Sequence, residues 1–330
     1  MKDLFDSFND LNALVIGDIM IDAYYWGHVE RISPEAPVPI VRMDKHEKRL
    51  GGAANVALNL KSLGANVFLV GLSGDDVNAK TLNTLLKEEG IPTSGIIADS
   101  SRPTTIKTRI LGGSQQVIRL DEESDELASR EVSIQLENHI LQIIESYKID
   151  VIVFEDYDKG VLSKGLIKKV VATANAKNIT TVVDPKKRNF HFYNEVTLFK
   201  PNLRELEEGL KLELDPKDIP MLVKELRRFR SKTKAKNTML TLSQYGLLIE
   251  DDKEYHHVTA HVRNITDVSG AGDTVISVAA LMMAKKRPLR EIAVITNIAG
   301  GIVCETTGIA PIDKNVLFSE SIMQKQNYNY

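Results

Sequence analysis

The 330-residue chain has one cysteine, Cys304. A single thiol can neither close an internal disulfide nor build a thiolate metal site, so Cys304 reads as a small core residue. The chain also has no run of 18 apolar residues and no basic-then-apolar leader. These absences argue against a membrane partner and lead us to expect a cytoplasmic protein. Charge of neither sign dominates. The formal net charge of −3 gives no basis for nucleic-acid binding. Two common nucleotide-binding fingerprints are missing. The glycines at Gly51 and Gly52 lack the G-x-G-x-x-G spacing, and G-x-x-x-x-G-K-[ST] occurs nowhere. No internal repeat or low-complexity segment interrupts the chain. What is present is the material of a globular protein: 43% hydrophobic and 26% charged residues, ample for a large core. The length allows two domains, but α/β folds of this size occur as one, and a single domain over 1–330 is expected.

From Ala65 onward, strand-like and helix-like runs alternate. Strands are predicted at Val67–Val70, Val151–Phe154, Ile179–Val183, Val196–Phe199, Met239–Leu242 and Leu247–Ile249. Helices are predicted near Lys80–Glu89, Ser133–Tyr147, Ser163–Ala176, Leu203–Leu210, Ile219–Arg230 and Leu289–Thr307, followed by a polar tail from Ser319. This rhythm predicts an α/β fold with a mostly parallel central sheet and helices on both faces. Two segments depart from it. Residues 23–49 hold Pro34, Pro37 and Pro39, with a short edge strand expected at Val38–Met43. Residues 102–121 alternate Ile106, Thr108 and Ile110 with Lys107 and Arg109. Together they suggest a small β-sheet lid over a site.

The stretch Asp267-Val268-Ser269-Gly270-Ala271-Gly272-Asp273 stands at a strand-to-helix joint, with a helix predicted over Thr274–Ala284. Small residues let the backbone turn tightly, and the helix start leaves amide groups unpaired at the positive end of its dipole. Such amides suit a phosphate, and Asp273 beside them is a carboxylate able to take a proton from an attacking hydroxyl. The same residues also suit a plain βα turn. A second small-residue stretch, Gly51-Gly52-Ala53-Ala54-Asn55, opens a helix whose face is lined by Val56, Ala57, Leu60 and Leu63 and which Gly64 closes.

Polar groups recur where strands end. Asp18 and Asp22 follow the run Leu14–Ile16 and are candidates for gripping sugar hydroxyls. Glu155–Gly160, Asp184-Pro185-Lys186, Lys200-Pro201-Asn202 and Ser243–Gly246 lie at corresponding places. Asn202 and Glu205, three apart at a helix start, can face one spot such as a hydrated Mg²⁺. His256, His257 and His261 invite a metal reading, but His256 and His257 point to opposite faces of a strand. The basic run Arg227–Lys236 reads as a solvated helix face and loop.

Gly51–Asn55 with Gly64 and Gly74, the D-x-x-G-A-G-D element at Asp267–Asp273, and Asn202-x-x-Glu205 together resemble the signatures of the ribokinase-like (phosphofructokinase-B type) carbohydrate kinase family. The resemblance runs over nearly the whole chain. Gly17–Asp22, Arg31–Pro39, Gln115–Asp121 and Asp267–Gly270 further resemble one branch of it, the kinases of D-glycero-β-D-manno-heptose 7-phosphate. The wider family usually has a small residue five positions after the catalytic Asp, whereas Val278 stands here. The resemblance implies a three-layer α/β/α fold with a β lid, and ATP and Mg²⁺ as cofactors, with a monovalent cation allowed. The implied reaction is phosphorylation of the sugar's anomeric hydroxyl on the way to ADP-heptose and lipopolysaccharide core. By the same resemblance Asp273 is the base, and Gly270, Ala271 and Gly272 hold the transferring phosphate. Asp18, Asp22, Gly51, Gly52 and Asn55 hold the sugar. Asn202 and Glu205 organise Mg²⁺ through water, and Lys186, Ser243, Gly246, Asn297 and Gly300 lie along ATP. For the sugar's 7-phosphate the cations Lys107, Arg109, Arg119 and Lys159 are candidates. A sugar phosphate and ATP are the expected partners, with a homodimer through the lid. Many members carry a further nucleotidyltransferase domain, and this chain is expected to act as a stand-alone kinase or an isolated kinase domain. Rival readings are a same-fold kinase for another sugar, sugar phosphate or nucleoside, and a catalytically silent sugar-binding regulator.

Overall fold

The computed structural model describes residues 1–113, 115–260 and 263–328. Its strands are β1 Asn12–Gly17, β2 Ile19–Ile32, β3 Pro39–Gly52, β4 Asn66–Ser73, β5 Ile96–Ala98, β6 Ile106–Gly112, β7 Gln115–Glu122, β8 Val151–Glu155, β9 Thr180–Asp184, β10 Leu198–Phe199, β11 Asn237–Thr241, β12 Leu247–Glu250 and β13 Tyr255–Val258. Its helices are α1 Lys2–Asp6, α2 Ala53–Ser62, α3 Val77–Glu88, α4 Arg130–Ser146, α5 Lys164–Ala176, α6 Leu203–Leu210, α7 Ile219–Thr233, α8 Ala271–Ala284, α9 Leu289–Val303 and α10 Lys314–Tyr328.

Nine strands form one sheet in the order β13-β12-β11-β10-β9-β8-β1-β4-β5. It is parallel except where β12 pairs antiparallel with β11 and β13. Its central strands are buried on both faces, which is why they read as continuous apolar runs. Alternate residues serve two cores. Val151 and Val153 pack with residues of α2, α8 and α9 on one face. Ile152 and Phe154 pack with residues of α4 to α7 on the other. Helix starts after the strands carry side-chain caps, such as Asp76 accepting from Ala79 N at 2.7 Å and Asn202 from Glu205 N at 2.9 Å. No helix among the described residues is long and apolar enough to cross a membrane.

The lid is a four-stranded sheet in the order β3-β2-β6-β7. Its first two strands are 14 residues each, much longer than the short strand expected at Val38–Met43; β2 starts at Ile19 rather than at residue 23, and β3 runs on to Gly52 rather than 49. The bases of both strands are buried, so the alternation that marks a half-exposed strand is lost there. The polar tail expected from Ser319 is instead part of α10, which begins at Lys314. Leu317 and Ser321, four apart, turn one face of that helix inward.

Candidate active site

The period-two geometry of the strands sets the floor of the site. Val153, Val182 and Leu198 point into the core beneath α8. Two positions later on the same face come Glu155, Asp184 and Lys200, all buried. The apolar layer therefore ends in charged groups at the carboxyl edge of the sheet, where open α/β sheets bind ligands. Lys200 Nζ lies 2.8 Å from Asp184 Oδ2. Glu155 Oε2 is buried with no hydrogen-bond partner. Burial, with Asp184 and Asp273 nearby, pushes the Glu155 carboxyl well above the ordinary range.

Over this floor stands the start of α8. Gly270 caps the helix at φ 78°, a left-handed conformation that glycine adopts without strain. Gly270, Ala271, Gly272 and Asp273 line a cavity of about 760 Å³, and of the first-turn amides, which have no intrahelical acceptor, that of Ala271 donates to Val268 O at 3.3 Å. Asp273 is 3% exposed yet stands in that cavity's wall. Asn55 Nδ2 donates to its Oδ2 at 2.7 Å, and the Tyr157 hydroxyl donates to its Oδ1 at 3.1 Å. Burial raises its pKa to about 7. The two hydrogen bonds oppose the shift, and the charges of Asp184 and Asp22 add to it. A carboxyl poised there can exchange a proton near neutral pH.

The remaining expected residues divide between two sides of Asp273. On the cavity side, Lys186 pairs with Glu205. Burial would lower the Lys186 pKa, but Asp184 and Glu205 outweigh it and hold the ammonium protonated. Asn202 and Glu205 form a reciprocal capping box, with Asn202 N donating to Glu205 Oε2 at 2.8 Å, so each is engaged by the other's backbone. Ser243, Gly246, Asn297 and Gly300 line the cavity. Asn297 Nδ2 donates to Thr259 O at 3.0 Å. On the lid side, Gly52 takes φ 54° just before α2, and a side chain at Gly51 would run into Asp22. Asp22 pairs with Arg109. Arg49 and Arg109 both lie over the Tyr24 ring, at 5.4 and 5.3 Å from its centroid.

Asp18 is buried and does not line that cavity. Both its oxygens accept loop amides, from Tyr157 at 2.8 Å, Lys159 at 3.0 Å and Val161 at 3.2 Å, so it shapes the loop after β8. The candidate phosphate cations all have carboxylate partners. Lys159 meets Glu123 at 2.6 Å, Lys107 meets Asp121 and Glu123, and Arg119 meets Asp121 at 2.9 Å. His256 lies beside Glu254, and His257 Nε2 is 2.8 Å from Tyr245 O. His261 lies outside the described residues.

The donor set fits a hydrated divalent cation better than a directly ligated one. Among the described residues no three His, Cys, Asp or Glu side chains converge as metal ligands. Yet Asp184 lies close enough to both Glu155 and Glu205 to raise their pKa values, Glu155 Oε2 is orphaned, and Mg²⁺ habitually keeps several of its waters. Sequence reasoning marked Glu155–Gly160 and Lys200 as strand-end groups. It gave no role to Tyr157, Glu155 or Lys200, because their partners come from segments distant in sequence.

A model of the pfkB family of carbohydrate kinases matches residues 10–315. The bifunctional protein HldE of Methylobacillus flagellatus is 40% identical over 307 residues, covering 93% of this chain and 62% of that protein. The HldE of Helicobacter pylori is 38% identical over 297 residues, covering 90% and 63%. The chain thus spans less than two thirds of the length of these relatives. Phosphofructokinase-2 from Escherichia coli, solved in complex with substrates and products, shares the fold. Its TM-score is 0.79 at 18% identity, over 95% of this chain and 99% of that one. The same enzyme in complex with fructose-6-phosphate gives a TM-score of 0.76 at 18% identity, over 95% and 98%. The ribokinase-like α/β fold with its β lid is therefore the observed one, and a family model that leaves only the chain's two ends unmatched makes this protein a member of the pfkB family of carbohydrate kinases.

Proposed function

We propose that this sugar kinase transfers the γ-phosphoryl group of ATP to the anomeric hydroxyl of D-glycero-β-D-manno-heptose 7-phosphate. The product would be the 1,7-bisphosphate, a precursor for ADP-heptose and lipopolysaccharide core. The observation that carries the reading is Asp273, a buried carboxyl with a pKa raised to about 7, set in the cavity wall beside the first-turn amides of α8. In this reading the acceptor hydroxyl gives its proton to Asp273 as its oxygen attacks phosphorus in line. The amides of Gly270, Ala271 and Gly272 meet the charge that builds on the transferring group. Lys186, Ser243, Gly246, Asn297 and Gly300 line the space for the nucleotide. Asn202 and Glu205 would hold Mg²⁺ through water, and the ion when bound neutralises phosphate charge. Asp22, Gly51, Gly52 and Asn55 flank the acceptor side, with Asp18 fixing the loop beneath. Arg109, Arg119 and Lys159 would exchange carboxylate partners for the sugar's phosphate. The similarity to proteins named HldE supports the heptose assignment over other sugars.

ADP release across a panel of sugar phosphates tests the reading. Heptose 7-phosphate should give the highest kcat/KM, and a clear preference for fructose 6-phosphate or ribose would overturn the substrate. Arg109→Ala should raise KM for the phosphorylated heptose more than for unphosphorylated heptose. Equal changes would remove Arg109 from the phosphate site. A second copy of the chain is proposed to cover the lid. Its open face holds a hollow lined by Trp26, Val41, Met43, Ile110 and Ile118, of which Met43 and Ile118 are exposed. Sedimentation at micromolar concentration should give a dimer, and a monomer would refute this.

A further inference from the structure

Tyr157 belongs to the loop after β8, and both of its neighbours in the chain are pinned. Asp18 accepts the amides of Tyr157 and Lys159. Asp156 accepts the Tyr193 hydroxyl at 2.6 Å, Asn189 Nδ2 at 3.0 Å and the Asp158 amide at 2.9 Å. A residue held this way has little freedom to move its side chain by moving its backbone. Its ring lies in the cavity wall with the Lys186 ammonium 5.1 Å from the centroid. Its hydroxyl ends 3.1 Å from Asp273 Oδ1. Burial and the surrounding carboxylates Asp273, Glu155, Asp184 and Asp22 push the phenol well above its ordinary pKa, so the oxygen keeps its proton and donates it to the ionised acid in a hydrogen bond.

The geometry points to Tyr157 as a positioning residue for Asp273: with Asn55 on the other oxygen, its hydroxyl fixes the carboxylate's orientation and favours its charged, proton-accepting form. The inference rests on the reading of Asp273 as the base. A carboxylate has room for about four hydrogen bonds, so two donors leave lone pairs for the acceptor hydroxyl. The groups facing Asp273 are Asn55 from α2, Tyr157 from this loop, Asp184 from β9, Asp22 from β2 and Glu155 from β8. Of these only Asn55 and Tyr157 donate to it, and the three carboxylates all favour its neutral form. Removing the tyrosine oxygen therefore moves the balance in one direction, toward a carboxyl that holds its proton to higher pH.

Tyr157→Phe keeps the ring beneath Lys186 and deletes only that donor. The side-chain carboxyl of Asp273 can be titrated by carbon-13 NMR in protein labelled at aspartate carboxyls, its signal assigned by its loss in Asp273→Asn. In Tyr157→Phe the midpoint should rise by about one unit, and kcat at neutral pH should fall about ten-fold with KM for both substrates within about two-fold. An unmoved midpoint overturns the inference. So does an unchanged kcat in an enzyme that Asp273→Asn inactivates. If the wild type turns over no sugar phosphate at all, the functional reading has failed, and the titration alone still decides whether Tyr157 sets the state of Asp273.

Discussion

Two places in this molecule bury carboxylates, and they are built differently. Glu250, at the end of β12, is fully buried. The Arg230 Nε donates to both its oxygens, at 3.0 and 3.3 Å, and the Thr238 hydroxyl donates to it at 2.6 Å. At the carboxyl edge of the sheet, Glu155, Asp184, Glu205 and Asp273 have two cations beside them among the described residues, Lys186 paired with Glu205 and Lys200 with Asp184, and one Glu155 oxygen has no partner. Burial raises the pKa of Glu250 as it does that of Asp273, so a perturbed carboxyl does not by itself distinguish the two places. The balance of charges and donors does. Glu250 is matched within the fold, whereas the acid groups at the sheet edge outnumber their cations beside an open cavity, and Glu155, Glu205 and Asp273 lean toward their protonated forms, a balance that added positive charge would shift.

The largest separation should appear in turnover. Asp273→Asn should lower kcat by about 10²–10⁴-fold, the usual loss for a general base, while Arg230→Ala should leave kcat near wild type. Comparable losses in both variants would erase the distinction. Stability should respond in reverse. Arg230→Ala takes from a buried carboxylate its nearest cation, leaving it the Thr238 hydroxyl and Arg227 Nε at 3.5 Å, and should cost about 3 kcal/mol in denaturant unfolding, whereas Asp273→Asn, which removes one of several like charges, should cost little.

The pH dependence of stability sharpens the contrast further. The folded pKa of Asp273, about 7, lies above its unfolded value of 3.8. Between these values the unfolded chain gives up the proton first, so stability falls as pH rises from 4 to 7. Asp273→Asn should flatten that decline, and a wild-type curve unaffected by the substitution would contradict the assigned pKa. The smallest effect is expected at the exposed pair Arg204–Glu208, 2.9 Å apart on α6. Arg204→Ala should change stability by under about 0.5 kcal/mol, measured the same way.

Much of this was legible in the sequence. Gly270 to Asp273 announced themselves because a left-handed cap and a first-turn acid need those residue types in that order. The parallel sheet showed through its apolar runs. The lid was visible as two β segments, but their length was not, because Ile19–Tyr24 is buried throughout and reads like the continuation of β1. The helix α10 was hidden by its polar composition, with Leu317 and Ser321 among the few inward positions. Asn202 and Glu205 were paired by spacing, as residues facing one spot. What spacing could not show is that each caps the other's backbone. Asp18 looked like a ligand for hydroxyls, and only the loop's return across the sheet edge reveals that its oxygens are filled by amides. Tyr157 was beyond reach for the same reason: its partner Asp273 is 116 positions away.

The most direct test of the central claim is the pH profile of kcat/KM for the wild-type enzyme with heptose 7-phosphate, set against that of Asp273→Asn, since the ratio reports the ionisations of free enzyme and free substrate and the substitution changes only the enzyme's. If Asp273 is the base, activity should rise with pH through a single acid-side limb centred near 7, and the limb should be missing from the residual activity of Asp273→Asn. Activity that stays level down to about pH 4, the range of an ordinary carboxylate, would contradict it.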